Sequence, residues 1–264
     1  MQGLHHRLVD FERRVRVALA TSVHELPFGT VVVSEDMPLI YDQNAFVITA
    51  PVAPGLAVHT TETVAALLGW EHRTIECGDL SVADALRDAL LAEGYHEECC
   101  VTMTLDAPVP APSRATSPAT VTAIAEQRPL ARAILAEQPW IDGDEVLDQF
   151  DERERRLADV ASAYAVVAPA DAPVSRCLVL TDGPLADIDA VATLSSHRGR
   201  GWSDAVMRQA ITTARRGGAE HIVLVADADD WPVWWYARLG FREIGRFSQF
   251  HRWPDDGDGN AASR

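Results

Sequence analysis

The sequence predicts an α/β protein in two parts, and three observations point there. Helical periodicities and strand-like apolar runs alternate along the whole chain. A stretch rich in Pro, Ala and Ser at 106–118, with almost no large apolar residue, reads as a semi-extended linker. The length of 264 residues exceeds the roughly 150 typical of one domain and suffices to bury a full core without disulfides or metals. The expected division is an N-terminal α/β domain at 1–105, the linker at 106–118, a second domain at 119–253, and a disordered acidic tail at 254–264.

The elements follow in order. Leu4, Leu8, Phe11, Val15 and Leu19 recur every three or four residues, which predicts an opening helix. Strands are expected around 29–33 and 45–49. Thr60 or Thr61 is a candidate cap for a helix over 62–69. A strand at 73–77, a helix at 82–93 stopped by Gly94, and a strand at 98–105 complete the first part. The second part starts with a strand at 120–124 and helices over about 128–138 and 143–160. Runs at 162–168, 174–181 and 188–194 are β-rich. A Gly-rich turn, a helix over 202–216 and a strand over 221–226 follow, with Gly217-Gly218 between them. Asp230 is placed to cap a short helix that carries Pro232 in its first turn and ends at Gly240. Two closing strands are expected over 241–244 and 245–253.

Composition excludes several chemistries. All 23 basic residues are Arg. Without Lys there is neither a P-loop lysine nor an enzyme amine for Schiff-base catalysis. The net charge of −16 argues against nucleic acid or an anionic membrane as partner, since both require cationic patches. Cys77, Cys99, Cys100 and Cys177 form no C-x-x-C pair, and no apolar leader precedes them, so reduced thiols in a cytoplasm are expected. The nine histidines have no metal-ligand spacing, and no metal is expected; His5 and His6 read as solvated near the terminus. No apolar run reaches the 18 or so residues needed to span a bilayer.

The chemistry concentrates in a strand, then Ser195-Ser196-His197-Arg198-Gly199-Arg200-Gly201-Trp202-Ser203, then a helix. Two glycines let a ligand approach the backbone closely. The first-turn amides of the next helix are unpaired donors at the positive end of its dipole, which suits phosphate oxygens, and Arg198 and Arg200 add charge. A dinucleotide fingerprint starting at Gly199 fails because its third glycine falls on Asp204. Downstream, Asp230-Trp231-Pro232-Val233-Trp234-Trp235-Tyr236-Ala237-Arg238-Leu239-Gly240-Phe241 is a second, aromatic helix.

Together these motifs resemble the GNAT superfamily of acetyl-CoA-dependent N-acyltransferases. The family loop Q/R-x-x-G-x-G/A is matched at Arg198 and Gly201, with Ser203 in place of the last small residue. The family's tyrosine helix followed by Gly-Phe is matched at Tyr236, Leu239, Gly240 and Phe241. The element order over 119–253 agrees, so the resemblance covers about half the chain. It implies a mixed, mostly antiparallel twisted sheet flanked by helices. It also implies that strand residues Val191, Ala192 and Thr193 hydrogen-bond the pantetheine arm, and that Arg198, Gly199, Arg200, Gly201, Trp202, Ser203 and Asp204 hold the pyrophosphate. Tyr236 stands at the position of the family's tyrosine and is the expected general acid for the departing thiolate. Asp187 and Asp189, two apart on the preceding strand and so on one face, are candidate bases; His197 lies in the loop and is a weaker one. Asp229 and Asp230 occupy the region where the family often has Asn, and neither can donate to a cofactor carbonyl.

In the N-terminal part, Glu93-Gly94-Tyr95 echoes Leu239-Gly240-Phe241, but Leu90 stands where Tyr236 would be and no Arg-x-x-Gly loop occurs in 1–105. It reads either as a degenerate half-domain of the same type or as chance similarity. The expected activity is direct transfer of an acetyl group from acetyl-CoA to an amine, on a small molecule or a peptide. The alternative is a non-catalytic acyl-CoA-binding or regulatory module. A homodimer stays open.

Overall fold

The computed structural model describes residues 2–110 and 118–254. Most of the expected linker and all of the tail beyond Pro254 therefore lie outside the described residues. The chain forms two compact units. One takes the residues up to Val101, Ala226–Asp230 and the chain from Ile244; the other takes Thr102–Val225 and Trp231–Glu243. These units do not follow the 1–105 and 119–253 division. Composition marks where a chain is loosely built, whereas long-range ladders decide what is compact together. Three strands run through the unit boundary.

The first unit contains α1 (Gln2–Leu19), β1 (Ser22–Leu26), β2 (Gly29–Val33), β3 (Ala45–Ile48), α2 (Pro54–Leu68), β4 (Arg73–Cys77), α3 (Leu80–Ala92), the first part of β5 (His96–Leu105) and most of β11 (Phe241–Arg252). Strands β1, β2 and β3 are antiparallel neighbours, β3 and β4 are parallel across α2, and β11 closes antiparallel on β4. The register stacks Phe46 beside Ile75 and Ile75 beside Phe250, all buried. Val31, Leu86 and Leu90 join the same core. Asp79 caps α3 by accepting the Ser81 N–H at 2.8 Å. Helix α2 starts at Pro54, earlier than the threonine caps suggested, because proline at its first position is pre-set for a helix; Thr61 is buried mid-helix.

His5 is buried, not solvated, at 6% exposure. Its ring fills the space left by Gly245, where a Cβ would overlap it. Gly245 interrupts nothing, so the two expected closing strands are one, β11.

His72 gives this unit a pH-dependent stability. It is 3% exposed, stacked between Tyr41 at 4.1 Å and Trp70 at 5.4 Å, and its Nε2 donates to Asn44 O at 2.9 Å. Burial pushes its pKa down to about 4. The unfolded chain takes up this proton near pH 6.5, the folded chain only near pH 4. The stabilisation is thus complete above the higher value and lost as pH falls through the window, by about 3 kcal/mol in total. Denaturant titrations at pH 7 and 4.5 should show His72→Phe losing less stability than wild type. His251 is lowered by burial in the same sense, so the difference between the two proteins isolates His72. Equal losses would assign the effect elsewhere.

The second unit contains β6 (Thr120–Thr122), α4 (Ile124–Leu135), α5 (Asp144–Val160), β7 (Ser162–Ala168), β8 (Ser175–Asp182), β9 (Leu185–Thr193), α6 (Trp202–Arg216), most of β10 (His221–Asp227) and α7 (Pro232–Leu239). Its strands lie in the order β10-β9-β8-β7-β6, antiparallel except for β9 with β10. Helix α4 begins at Ile124, ahead of the predicted 128, and carries Pro129 within it. Helices α4 and α5 are tied to the sheet by a buried chain: Arg176 Nη1 donates to Glu154 Oε1 at 2.6 Å, and Gln127 Nε2 donates to Glu154 Oε2 at 2.8 Å. Arg132 bridges Asp144, Asp148 and Asp151 across the same helix pair. Ala205, Val206, Ala210 and Ile211 form the buried face of α6. The mixed, mostly antiparallel sheet flanked by helices is the predicted fold class.

Candidate functional site

The site grows from an irregularity in β9. From Asp182↔Leu185 to Leu178↔Asp189 the β8–β9 register is regular. It then shifts, so that Cys177 alone faces Ala190 and Val191 before Arg176 meets Ala192. Ala190 adopts φ +51°, the one positive φ outside glycine among the described residues. This is a β-bulge, which bends the strand. On its other side β9 pairs with β10 only over Leu185–Asp187 and His221–Val223. Beyond Asp187 that ladder ends, and among the described residues the outer edge of Ile188–Thr193 has no strand partner. Leu194 N–H donates to Val174 O at 2.9 Å, so the peptide groups of its neighbour Thr193 point away from β8, toward this edge. An open edge of this kind binds an extended ligand as an added strand.

The edge leads straight into the loop. Ser195 is anchored at both N and Oγ by Glu137, at 2.8 and 3.1 Å. Arg198 Nε donates to Thr193 O at 3.2 Å, and Arg200 Nη2 to Ser196 O at 3.2 Å. Gly199 has φ +72° and Gly201 φ +85°. A Cβ on Gly199 would meet nothing within 4 Å, so that position is open. Gly201 is the left-handed N-cap of α6, with no side-chain cap. The first ladder bond runs from Ala205 N to Gly201 O at 3.1 Å. The amides of Trp202, Ser203 and Asp204 therefore have no carbonyl partner within the helix, and they stand at the positive end of its dipole. The Asp204 carboxylate is clamped by Arg208 at 2.6 and 3.0 Å, which leaves its amide as its contribution to an anion. His197 Nδ1 is paired with Ser196 Oγ at 2.9 Å, within the loop.

Tyr236 is 7% exposed and packs on Trp235 and Phe241, with ring centroids 5.0 and 6.0 Å away. Gly240, at φ +100°, ends α7 and turns Phe241 inward. Burial, then the charge of Asp189, then Cys177, raise the Tyr236 pKa well above that of a free phenol. The phenol thus keeps its proton at neutral pH, and Asp189 and Cys177 are its electrostatic neighbours at the bulge. No hydrogen bond engages its hydroxyl among the described residues. Asp187 and Asp189 oppose Leu180 and Leu178 and so share a face, as predicted. They differ in environment. Asp187 is 4% exposed, and burial, then the Asp189 charge, raise its pKa. Asp189 is exposed, and its Oδ1 accepts the Ala190 N–H at 2.6 Å.

Asp230 is not the cap of α7. Trp231 holds the N-cap position without a side-chain cap bond, and Asp227 Oδ1 accepts from Asp229 N in the preceding turn. Asp230 belongs to that turn, its N–H donating to Asp227 O at 3.3 Å. Sequence reasoning missed the bulge at Ala190 and the Glu137 anchor. The loss of polar–apolar phase after Asp187-Ile188-Asp189 could have signalled the bulge; a contact 58 residues away leaves no local signal. No cluster among the described residues could hold a metal, and none of the described helices is long and apolar enough to cross a membrane.

Residues 129–241 match the model of the acetyltransferase (GNAT) family. No curated protein matches the chain. Solved structures share the fold. A conserved protein of unknown function from Staphylococcus epidermidis has a TM-score of 0.66 at 13% identity, covering 88% of this chain and 94% of its own. A GCN5-related N-acetyltransferase from Kribbella flavida has a TM-score of 0.57 at 20% identity, covering 90% and 95%. A tandem GNAT protein from the clavulanic acid biosynthesis pathway has a TM-score of 0.55 at 16% identity, covering 77% and 70%. These overlaps extend well beyond 119–253, so the fold likeness includes the N-terminal half.

Proposed function

We propose that this chain, whose residues 129–241 form a GNAT acetyltransferase domain, transfers an acetyl group from acetyl-CoA directly to an amine. One observation carries the reading. The β9 edge, freed where the β10 ladder ends and bent by the bulge at Ala190, runs without interruption into the glycine-opened N-terminus of α6. An extended arm on the edge and a diphosphate on the helix amides would both be held by one molecule. Val191 and the Thr193 N–H offer peptide groups for the arm, the Thr193 carbonyl already accepting from Arg198 Nε. The amides of 202–204 with Arg198 and Arg200 suit the anion, and the open space at Gly199 admits it.

Acetyl-CoA supplies the activated carbonyl as a thioester. The chain supplies proton management. Tyr236 holds a proton beside the bulge and can give it to a departing thiolate. Asp187 and Asp189 share the face beside the bulge and are the candidate acceptors of a proton from an ammonium through water, Asp187 buried, with its pKa raised by burial and then by the Asp189 charge, and Asp189 at the exposed end. The chain's charge of −16 favours cationic acceptors by long-range attraction.

A panel of amines tests this: polyamines, amino sugars, aminoglycosides and peptide N-termini, followed by release of free CoA thiol. At least one class should give turnover well above hydrolysis. Tight acetyl-CoA binding with no turnover on any class would instead make the domain a binding module.

A further inference from the structure

Three hydroxyls link the sheet to the phosphate loop, and counting their protons fixes the direction of the chain. Ser175, fully buried, donates to Ala192 O at 2.9 Å. Its oxygen is also 2.8 Å from Thr193 Oγ1, which is 2.8 Å from Ser203 Oγ. A hydroxyl has one proton to give. Ser175 has spent its own on the carbonyl, so Thr193 must donate to Ser175, and Ser203 must donate to Thr193. Ser203, in the first turn of α6, thus has its proton turned inward and offers the loop only lone pairs.

We infer that Ser175 is a positioning residue that weakens the hold of this loop on a diphosphate by keeping the Ser203 proton pointed into the sheet. The inference rests on the acetyl-CoA reading above. For Ser203 to donate to a phosphate oxygen, the relay must reverse: Thr193 must donate to Ser203 and Ser175 to Thr193, and Ala192 O loses the Ser175 proton. Each gain at the anion is offset by that loss. A weaker hold suits an enzyme that must release CoA after every turnover. Cutting the relay behind Ser203 removes the restraint, because Thr193 can then donate to Ser203 at no cost.

The test is calorimetric titration with CoA and with pantetheine, which lacks the diphosphate. Ser175→Ala should bind CoA about three- to tenfold more tightly than wild type, the range expected for the net gain of one hydrogen bond. Its affinity for pantetheine should not change. Thr193→Val, nearly isosteric, cuts the same relay at its centre and should likewise tighten CoA binding, which covers the case where Ser175→Ala does not fold. In a Ser203→Ala background, Ser175→Ala should have no effect on CoA, since it acts only through Ser203. A purely structural Ser175 predicts the opposite: weaker CoA and pantetheine binding together. Unchanged or weaker CoA binding in the folded variants, or an equal shift without Ser203, overturns the inference. Failure of the wild type to bind CoA would instead overturn the acetyl-CoA reading on which it rests.

Discussion

Tyr236→Phe is expected to lower acetyl transfer on the order of a hundredfold, within the range for loss of a general acid, with acetyl-CoA affinity held within about a few-fold. The substitution keeps the ring between Trp235 and Phe241 and removes only the hydroxyl. That hydroxyl holds no neighbour in place among the described residues, so its loss should leave folding nearly unchanged. Its pKa is raised by burial and by Asp189, so the acid form persists across the neutral range and the alkaline limb of the rate profile should lie above that of a free phenol. The defect should shrink with acyl donors whose thiol is more acidic, because their leaving groups need less protonation. A folded variant with wild-type turnover and leaving-group dependence would remove Tyr236 from the mechanism and leave the fold assignment intact.

Gly201→Glu should abolish measurable acetyl-CoA binding, a loss of at least about a hundredfold by mutual repulsion and steric block. Gly201 sits at φ +85° at the cap of α6, directly before the free amides. A carboxylate there competes with the diphosphate for the same donors. The backbone strain of a side chain at this φ costs on the order of 1 kcal/mol, and Gly201→Ala carries that strain without the charge. Comparing the two separates charge from strain. Glu should eliminate binding and Ala should weaken it modestly, with thermal midpoints within a few degrees of each other. If both variants bind like wild type, the anion site lies elsewhere.

Much of the candidate site's geometry was legible because its parts are local. The left-handed turns at Gly199 and Gly201, the helix start at Trp202 and the Gly240-Phe241 stop are written into consecutive residues. The Asp187–Asp189 pairing on one face follows from strand alternation alone. What escaped was non-local. The bulge depends on how β8 meets β9, and the direction of the Ser175–Thr193–Ser203 relay emerges only when residues 28 positions apart are brought together. The compact units depart from the 1–105 boundary for the same reason: β11 completes the ladder on β4, far from it in sequence. His5 read as solvated because only the tertiary fold places Gly245 over it.

The central claim is that the β9 edge and the α6 N-terminus together bind acyl-CoA. Titration calorimetry of the full chain with acetyl-CoA and, separately, NAD tests it most directly. Acetyl-CoA should bind with one site per chain, since residues 1–105 carry no second loop of this type, and should raise the melting temperature by linkage, while NAD does neither. Binding of NAD without binding of acetyl-CoA would contradict the account.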